Sequence, residues 1–138
     1  MSTYDNYKHS ELTKEIINAA YEVYNYFGYG FLESVYEKAL EIELKKRGFK
    51  NVVRQQSIKV YYKGEISGEF NSDLTVSNSV IVELKAVEDL IPKHEVQLVN
   101  YLKSTKIEVG LLINFGEELK IKRRVFSNNQ KRENYRIP

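Results

Sequence analysis

Asp73, Glu83 and Lys85 are the residues whose types and spacing could do chemistry, and they fall in one stretch, D-L-T-V-S-N-S-V-I-V-E-L-K. Leu74, Val76, Val80, Val82 and Leu84 alternate there with polar residues, the period-two pattern of a half-buried strand pair. Ser77-Asn78-Ser79 supplies a loop of turn-forming types. If Val76 pairs with Val80, Asp73 stands opposite Glu83 on the same face. Cβ atoms of such partners are roughly 4.5–5.5 Å apart. Lys85 points the same way, diagonal to Asp73. Two carboxylates held so close repel unless a cation intervenes, and a hard metal ion with oxygen ligands is the natural candidate.

The flanking sequence must hold that hairpin in place. Ser10 is a plausible N-cap for a helix whose apolar positions are Leu12, Ile16, Ala20, Val23, Tyr24 and Phe27, ended by Gly28. After Gly28-Tyr29-Gly30, a second helix starts near Phe31-Leu32, with Leu32, Val35, Tyr36, Ala39, Leu40 and Leu44 inward, and closes at Gly48. Ile58, Val60 and Tyr62 alternate in a first strand, which Lys63-Gly64-Glu65 turns into the strand carrying Asp73. Pro92 suits the first turn of a helix running to about Ser104, with Val96, Val99 and Leu102 expected to be buried. Val109–Phe115 is an almost unbroken apolar run, as in a strand covered on both faces. Leu119 to Phe126 is a last, more polar strand. The expected order is α-α-β-β-β-α-β-β. An antiparallel meander is followed by a right-handed crossover, which makes the Val109 strand parallel to the Glu83 strand.

Composition sets bounds. The 138 residues suit one domain, expected over 11–127, between a disordered segment at 1–10 and a basic tail at 128–138. Net charge is only +2, yet Leu119–Pro138 holds Lys120, Lys122, Arg123, Arg124, Lys131, Arg132 and Arg136 against the single acid Glu133. Such an edge could meet a phosphate backbone or simply guard an edge strand against aggregation. Cysteine is absent, which excludes thiolate metal sites and cysteine nucleophiles. No signal-peptide core opens the chain, and no apolar run approaches the ~18 residues of a membrane span. The expectation is a soluble cytoplasmic protein. Phosphate-binding loops of the G-x-x-x-x-G-K-[ST] type, dinucleotide G-x-G-x-x-G motifs and G-x-S-x-G elbows do not occur.

The hairpin, the element order and several further segments resemble the PD-(D/E)XK nuclease superfamily. Within it, the chain resembles the small GxxExxY proteins, through Gly30-Phe31-Leu32-Glu33-Ser34-Val35-Tyr36, I-V-E-L-K-A, Gln97-x-x-x-Tyr101 and G-L-L-I-N-F-G. The likeness runs from Glu11 to Phe126. Two departures stand in it: Ser72 replaces the proline of the superfamily's name, and Asn71 stands where many relatives carry arginine. The resemblance implies a restriction-endonuclease-like mixed sheet flanked by helices. It also implies a nuclease cutting phosphodiester bonds, with DNA the expected partner and Mg²⁺ or Mn²⁺ the expected cofactor.

Asp73 and Glu83 would then supply carboxylate ligands, the Leu84 carbonyl a third, and Lys85 a cation for the scissile phosphate or the attacking water. Glu33 would correspond to the family's helix acid, completing the metal site; alternatively it is a first-turn glutamate favoured by the helix dipole. Tyr36 shares its face and could pack or touch substrate. Gln97 and Tyr101, also one turn apart, would lie beside the metal, or else mark only the polar boundary of a helix. His94 reads as a bystander, and His9 receives no role. Lys122, Arg123 and Arg124 are the candidate phosphate contacts. A homodimer could cut both strands. The competing reading is a nucleic-acid- or protein-binding module that keeps the fold without activity, against which the intact set of Glu33, Asp73, Glu83 and Lys85 weighs.

Overall fold

A computed structural model of the chain describes residues 8–131. Two helices come first, α1 (Ser10–Phe27) and α2 (Glu33–Lys46), followed by strands β1 (Val52–Tyr62), β2 (Glu65–Val76) and β3 (Val80–Lys85). Helix α3 (Pro92–Lys103) leads to β4 (Val109–Phe115) and β5 (Leu119–Val125), and a 3₁₀ turn spans Asn128–Gln130. The expected order and mixed sheet are thus observed. The five strands lie in the order β1-β2-β3-β4-β5. Only β3 and β4 are parallel, and Val76 pairs with Val80 as the alternation requires.

Alternation along β3 divides the interior into two cores. Val80, Val82 and Leu84 join Ile16, Ala20 and Val23 of α1 and Tyr36, Leu40 and Leu44 of α2 on one face. Ile81 turns the other way, to Leu98, Tyr101 and Leu102 of α3. β4 feeds both cores and all of it is buried, which matches its unbroken apolar run. Gly110 lets α3 sit close, since a Cβ there would stand 2.7 Å from Leu98 Cδ1.

The α1–α2 connection turns at Gly28 (φ 69°) and Gly30 (φ 108°), backbone conformations that glycine adopts without steric cost. Tyr36 is fully buried against it. Its hydroxyl donates to Gly28 O at 2.7 Å, and its ring stacks on Phe115 at 4.4 Å. That tyrosine is a packing residue.

Three expectations need correction. The N-cap of α1 is His9, not Ser10, because the helical ladder already begins with Thr13 N–H donating to His9 O. Leu32 is 75% exposed: it is the extended N-cap of α2, and the inward stripe starts only beyond it. Val96 is 57% exposed, since α3 is rotated to seat Leu98 over Gly110. The packed unit also extends beyond 11–127. Ser10 is helical, and Lys131 is buried with Nζ donating to Thr105 O and Ile107 O at 2.8 and 2.7 Å. Residues 1–7 and 132–138 of the two expected terminal segments, including Arg132 and Arg136, lie outside the described residues. Among the described residues no helix is long and apolar enough to cross a membrane.

Candidate metal and phosphate site

The hairpin opens where its two carboxylates face each other. Recorded β2–β3 partners end at Leu74 and Val82. One step further, side chains replace the backbone ladder. Asp73 N–H donates to Glu83 Oε1 at 3.1 Å, and Leu84 N–H donates to Asp73 Oδ2 at 2.8 Å. A strand residue in such a pair aims its N–H and C=O to the same side, so the Leu84 carbonyl also faces β2. Asp73, Glu83 and Leu84 are therefore brought together.

Glu83 is only 5% exposed. Burial first, and the Asp73 charge second, push its carboxyl up to about 9. Lys85 pulls the other way without compensating fully. Without an added cation, Glu83 therefore holds a proton at neutral pH. A buried acid whose charged form lacks sufficient partners is a candidate functional group.

Glu33, in the first turn of α2, belongs to the same field. Its pKa is raised by burial and then by Asp73, and lowered by Lys85. Across the sheet, Tyr101 of α3 is 8% exposed and its hydroxyl is pushed up to about 12 by burial, Glu83 and Asp73, so it remains a phenol. A hydrogen bond with Gln97 opposes that rise. Gln97 and Tyr101 thus lie on the site's side of α3. His94 Nδ1 accepts from Ile91 N–H at 3.2 Å. Burial and then the ammoniums of Lys85 and Lys93 hold its imidazole below the ordinary range, so it is a neutral acceptor beside two cations.

Four residues at or beside the site were missed by sequence reasoning. Glu37, only 4% exposed, accepts from Arg54 Nε at 2.9 Å and from Gln55 Nε2 at 3.0 Å. Gln55 Nε2 also lies 3.4 Å from Asp73 Oδ1, so one amide group spans two carboxylates. Gln55 does this at φ 52°, between the paired residues Arg54 and Gln56. Such backbone is costly for a residue with a Cβ and tends to occur at functional sites. Glu37 could have been flagged, as it lies one helical turn beyond Glu33. Asn114, the fourth, pairs in register with Lys85. Its amide donates to Val87 O at 2.9 Å and accepts from Val87 N–H at 3.0 Å, fixing the chain as it leaves β3.

The basic strand is placed apart from this group. Lys122 and Arg124 face α3, and both pair with Glu95, Lys122 at 2.6 Å. Arg123 lies on the opposite face and donates to Lys8 O. The three therefore do not form one stripe, because successive strand residues point to opposite faces.

Among the described residues no three acidic or histidine side chains gather at one point. The donor chemistry still fits a hard divalent cation: two carboxylates and a backbone carbonyl, with no sulfur or imidazole. Mg²⁺ keeps several waters and needs few protein ligands.

The model of the PD-(D/E)XK nuclease superfamily matches residues 10–125. The chain belongs to that superfamily. A search of the solved structures returned the crystal structure of SSO0001, at 17% identity and a TM-score of 0.48, covering 87% of this chain. This chain spans 60% of that one. A search of curated proteins gave no match.

Proposed function

We propose that this chain is a divalent-metal-dependent nuclease of the GxxExxY kind that hydrolyses phosphodiester bonds of DNA. The observation that carries the reading is the opened hairpin end, where Asp73 and Glu83 bond to each other's strands and burial beside Asp73 pushes the Glu83 carboxyl up to about 9. Asp73, Glu83 and the Leu84 carbonyl would hold Mg²⁺ or Mn²⁺, with Glu33 completing the set. When bound, the ion would offset negative charge on the phosphate and make a water more acidic.

The chain's own residues do the rest. Lys85 lies beside the carboxylates and contributes a fixed cation for the phosphate oxygens. Gln97 would hydrogen-bond the phosphate or orient the attacking water. Tyr101, kept as a phenol, can donate but not act as a base at neutral pH. Gln55 and Glu37 keep Asp73 turned toward β3. Lys122, Arg123 and Arg124 are proposed phosphate contacts outside this centre, with Arg123 reached from a different face.

Purified protein incubated with plasmid, linear and single-stranded DNA in Mg²⁺ or Mn²⁺ should cut at least one of them, and Glu83→Gln should not. One observation favours a second reading, a binding module without activity: among the described residues no third acid closes around the pair. DNA binding without cleavage in either metal would select that reading.

A further inference from the structure

A groove of about 620 Å³ opens beside the site, between α3 and the β1–β2 hairpin. That volume lies within the ~300–1,000 Å³ of small-ligand sites. Val60, Phe70, Val96 and Tyr101 give it an apolar lining, and Gln97 and Asn100 bring side-chain amides to it. Phe70 and Tyr101 are stacked, with ring centres 3.9 Å apart and planes 18° apart. Tyr101 is shared with the candidate centre, since its hydroxyl feels both Glu83 and Asp73.

Charge continues along the same path. Lys93 lines the groove, and Lys93 and Lys85 both act on His94, whereas the Lys103 ammonium lies over the Phe126 ring, 5.5 Å from its centre. Cations therefore run from the β3 end across the first turn of α3 to the groove. An aromatic and apolar floor, amides that can reach a base edge, and lysines for phosphates are the parts of a single-strand site. A duplex keeps its base faces stacked inside and offers none to such a lining.

We propose that this groove is a subsite for an unpaired base of the DNA strand whose phosphate reaches Asp73 and Glu83, making single-stranded or frayed DNA the preferred substrate. The proposal rests on the nuclease reading above and adds the substrate class. Val96 and Phe70 set the preference, and Lys93 carries the connecting phosphates.

The test is fluorescence anisotropy with the full chain and no divalent cation, so that nothing is cut. Its probes are a short labelled oligothymidylate and an abasic strand of equal length. The parent should bind the oligothymidylate roughly 5- to 150-fold more tightly, the span of one stacked base. Phe70→Leu and Val96→Asp should each collapse that ratio toward one, and the ratio cancels any charge effect common to both strands. Val96 is exposed, so its variant should fold even if Phe70→Leu does not. Equal affinity for the two strands, absence of binding, or a ratio unchanged in Val96→Asp overturns the subsite. The nuclease reading fails separately, if the parent cuts no DNA in Mn²⁺.

Discussion

Glu83 and Glu95 both serve the α3 side of the sheet, and their surroundings push them in opposite directions. Glu95 receives Lys122 and Arg124, and these hydrogen bonds lower its pKa. Glu83 is pushed up to about 9 by burial and then by the Asp73 charge, against the opposing pull of one backbone N–H. The first is a charge the protein satisfies itself. The second is an acid whose charged form the protein does not satisfy itself. Lys85 could have closed the account but its pull is outweighed by burial and Asp73. The contrast separates a structural ion pair from a candidate site, although both are acids near basic residues in the sequence.

The largest expected effect tests which of the two acids does chemistry. Glu83→Gln and Lys85→Ala should each lower cleavage of the DNA form that the parent cuts fastest by at least roughly 100- to 1,000-fold, the scale of losing one aligned electrostatic group. Most DNA affinity should survive, because it comes from dispersed phosphate contacts. Glu95→Gln should keep most of its cleavage rate. Equal losses in Glu83→Gln and Glu95→Gln would erase the distinction.

Metal linkage sharpens it next. Mn²⁺ at about 100 times its dissociation constant should stabilise the parent by about 2.7 kcal/mol, read as a rise in Tm. Asp73→Asn should reduce that rise, while Glu95→Gln should leave it intact. Glu37→Gln and Gln55→Ala should weaken the response by less than Asp73→Asn, since they only orient Asp73. Melting curves that ignore Mn²⁺ would make the hairpin carboxylates mere buried charge.

pH gives a smaller effect of defined sign. In the native state Glu83 keeps its proton up to about 9, whereas in the unfolded chain it loses it in the ordinary carboxylate range. Between those limits the native state binds more protons, so its contribution to stability falls as pH rises. Glu33 and Glu37, also raised, act in the same direction. Urea titrations in chelator should show stability declining toward about 9, with a shallower decline in Glu83→Gln. Parallel profiles for the two proteins would remove Glu83 from the linkage.

The smallest effect concerns the satisfied acid. Exposed pairs contribute roughly 0.2–1 kcal/mol each, so Glu95→Gln should cost little stability. It should also release Lys122 and Arg124. If these two contact phosphate, replacing both by Ala should flatten the salt dependence of duplex binding by up to about 0.9 in log-log slope per contact. An unchanged slope would leave the strand as a guarded edge.

Much of the centre was legible in the residues. Period-two alternation on both sides of Ser77-Asn78-Ser79 fixes the Val76–Val80 register, and a one-residue slip would have sent Glu83 to the other face. Helical spacing likewise places Gln97 beside Tyr101. What stayed hidden depends on partners distant in the chain. Gln55 turns to left-handed backbone within a strand because Glu37 and Asp73 converge on its amide, and glutamine carries no local signal for that. Val96 reads as core until Gly110, on another element, seats Leu98 instead.

From the sequence alone came the three helices, the meander, the parallel β4 and the meeting of Asp73 with Glu83, because each follows from a short-range period, a turn or the crossover rule. Tertiary structure alone decided that Glu83 holds a proton, that Lys122 and Arg124 are engaged by Glu95, and that a groove lies beside Tyr101. The physical reason is common to all three. Burial and Coulomb fields depend on the distance between elements, and periodicity along one element does not contain that distance.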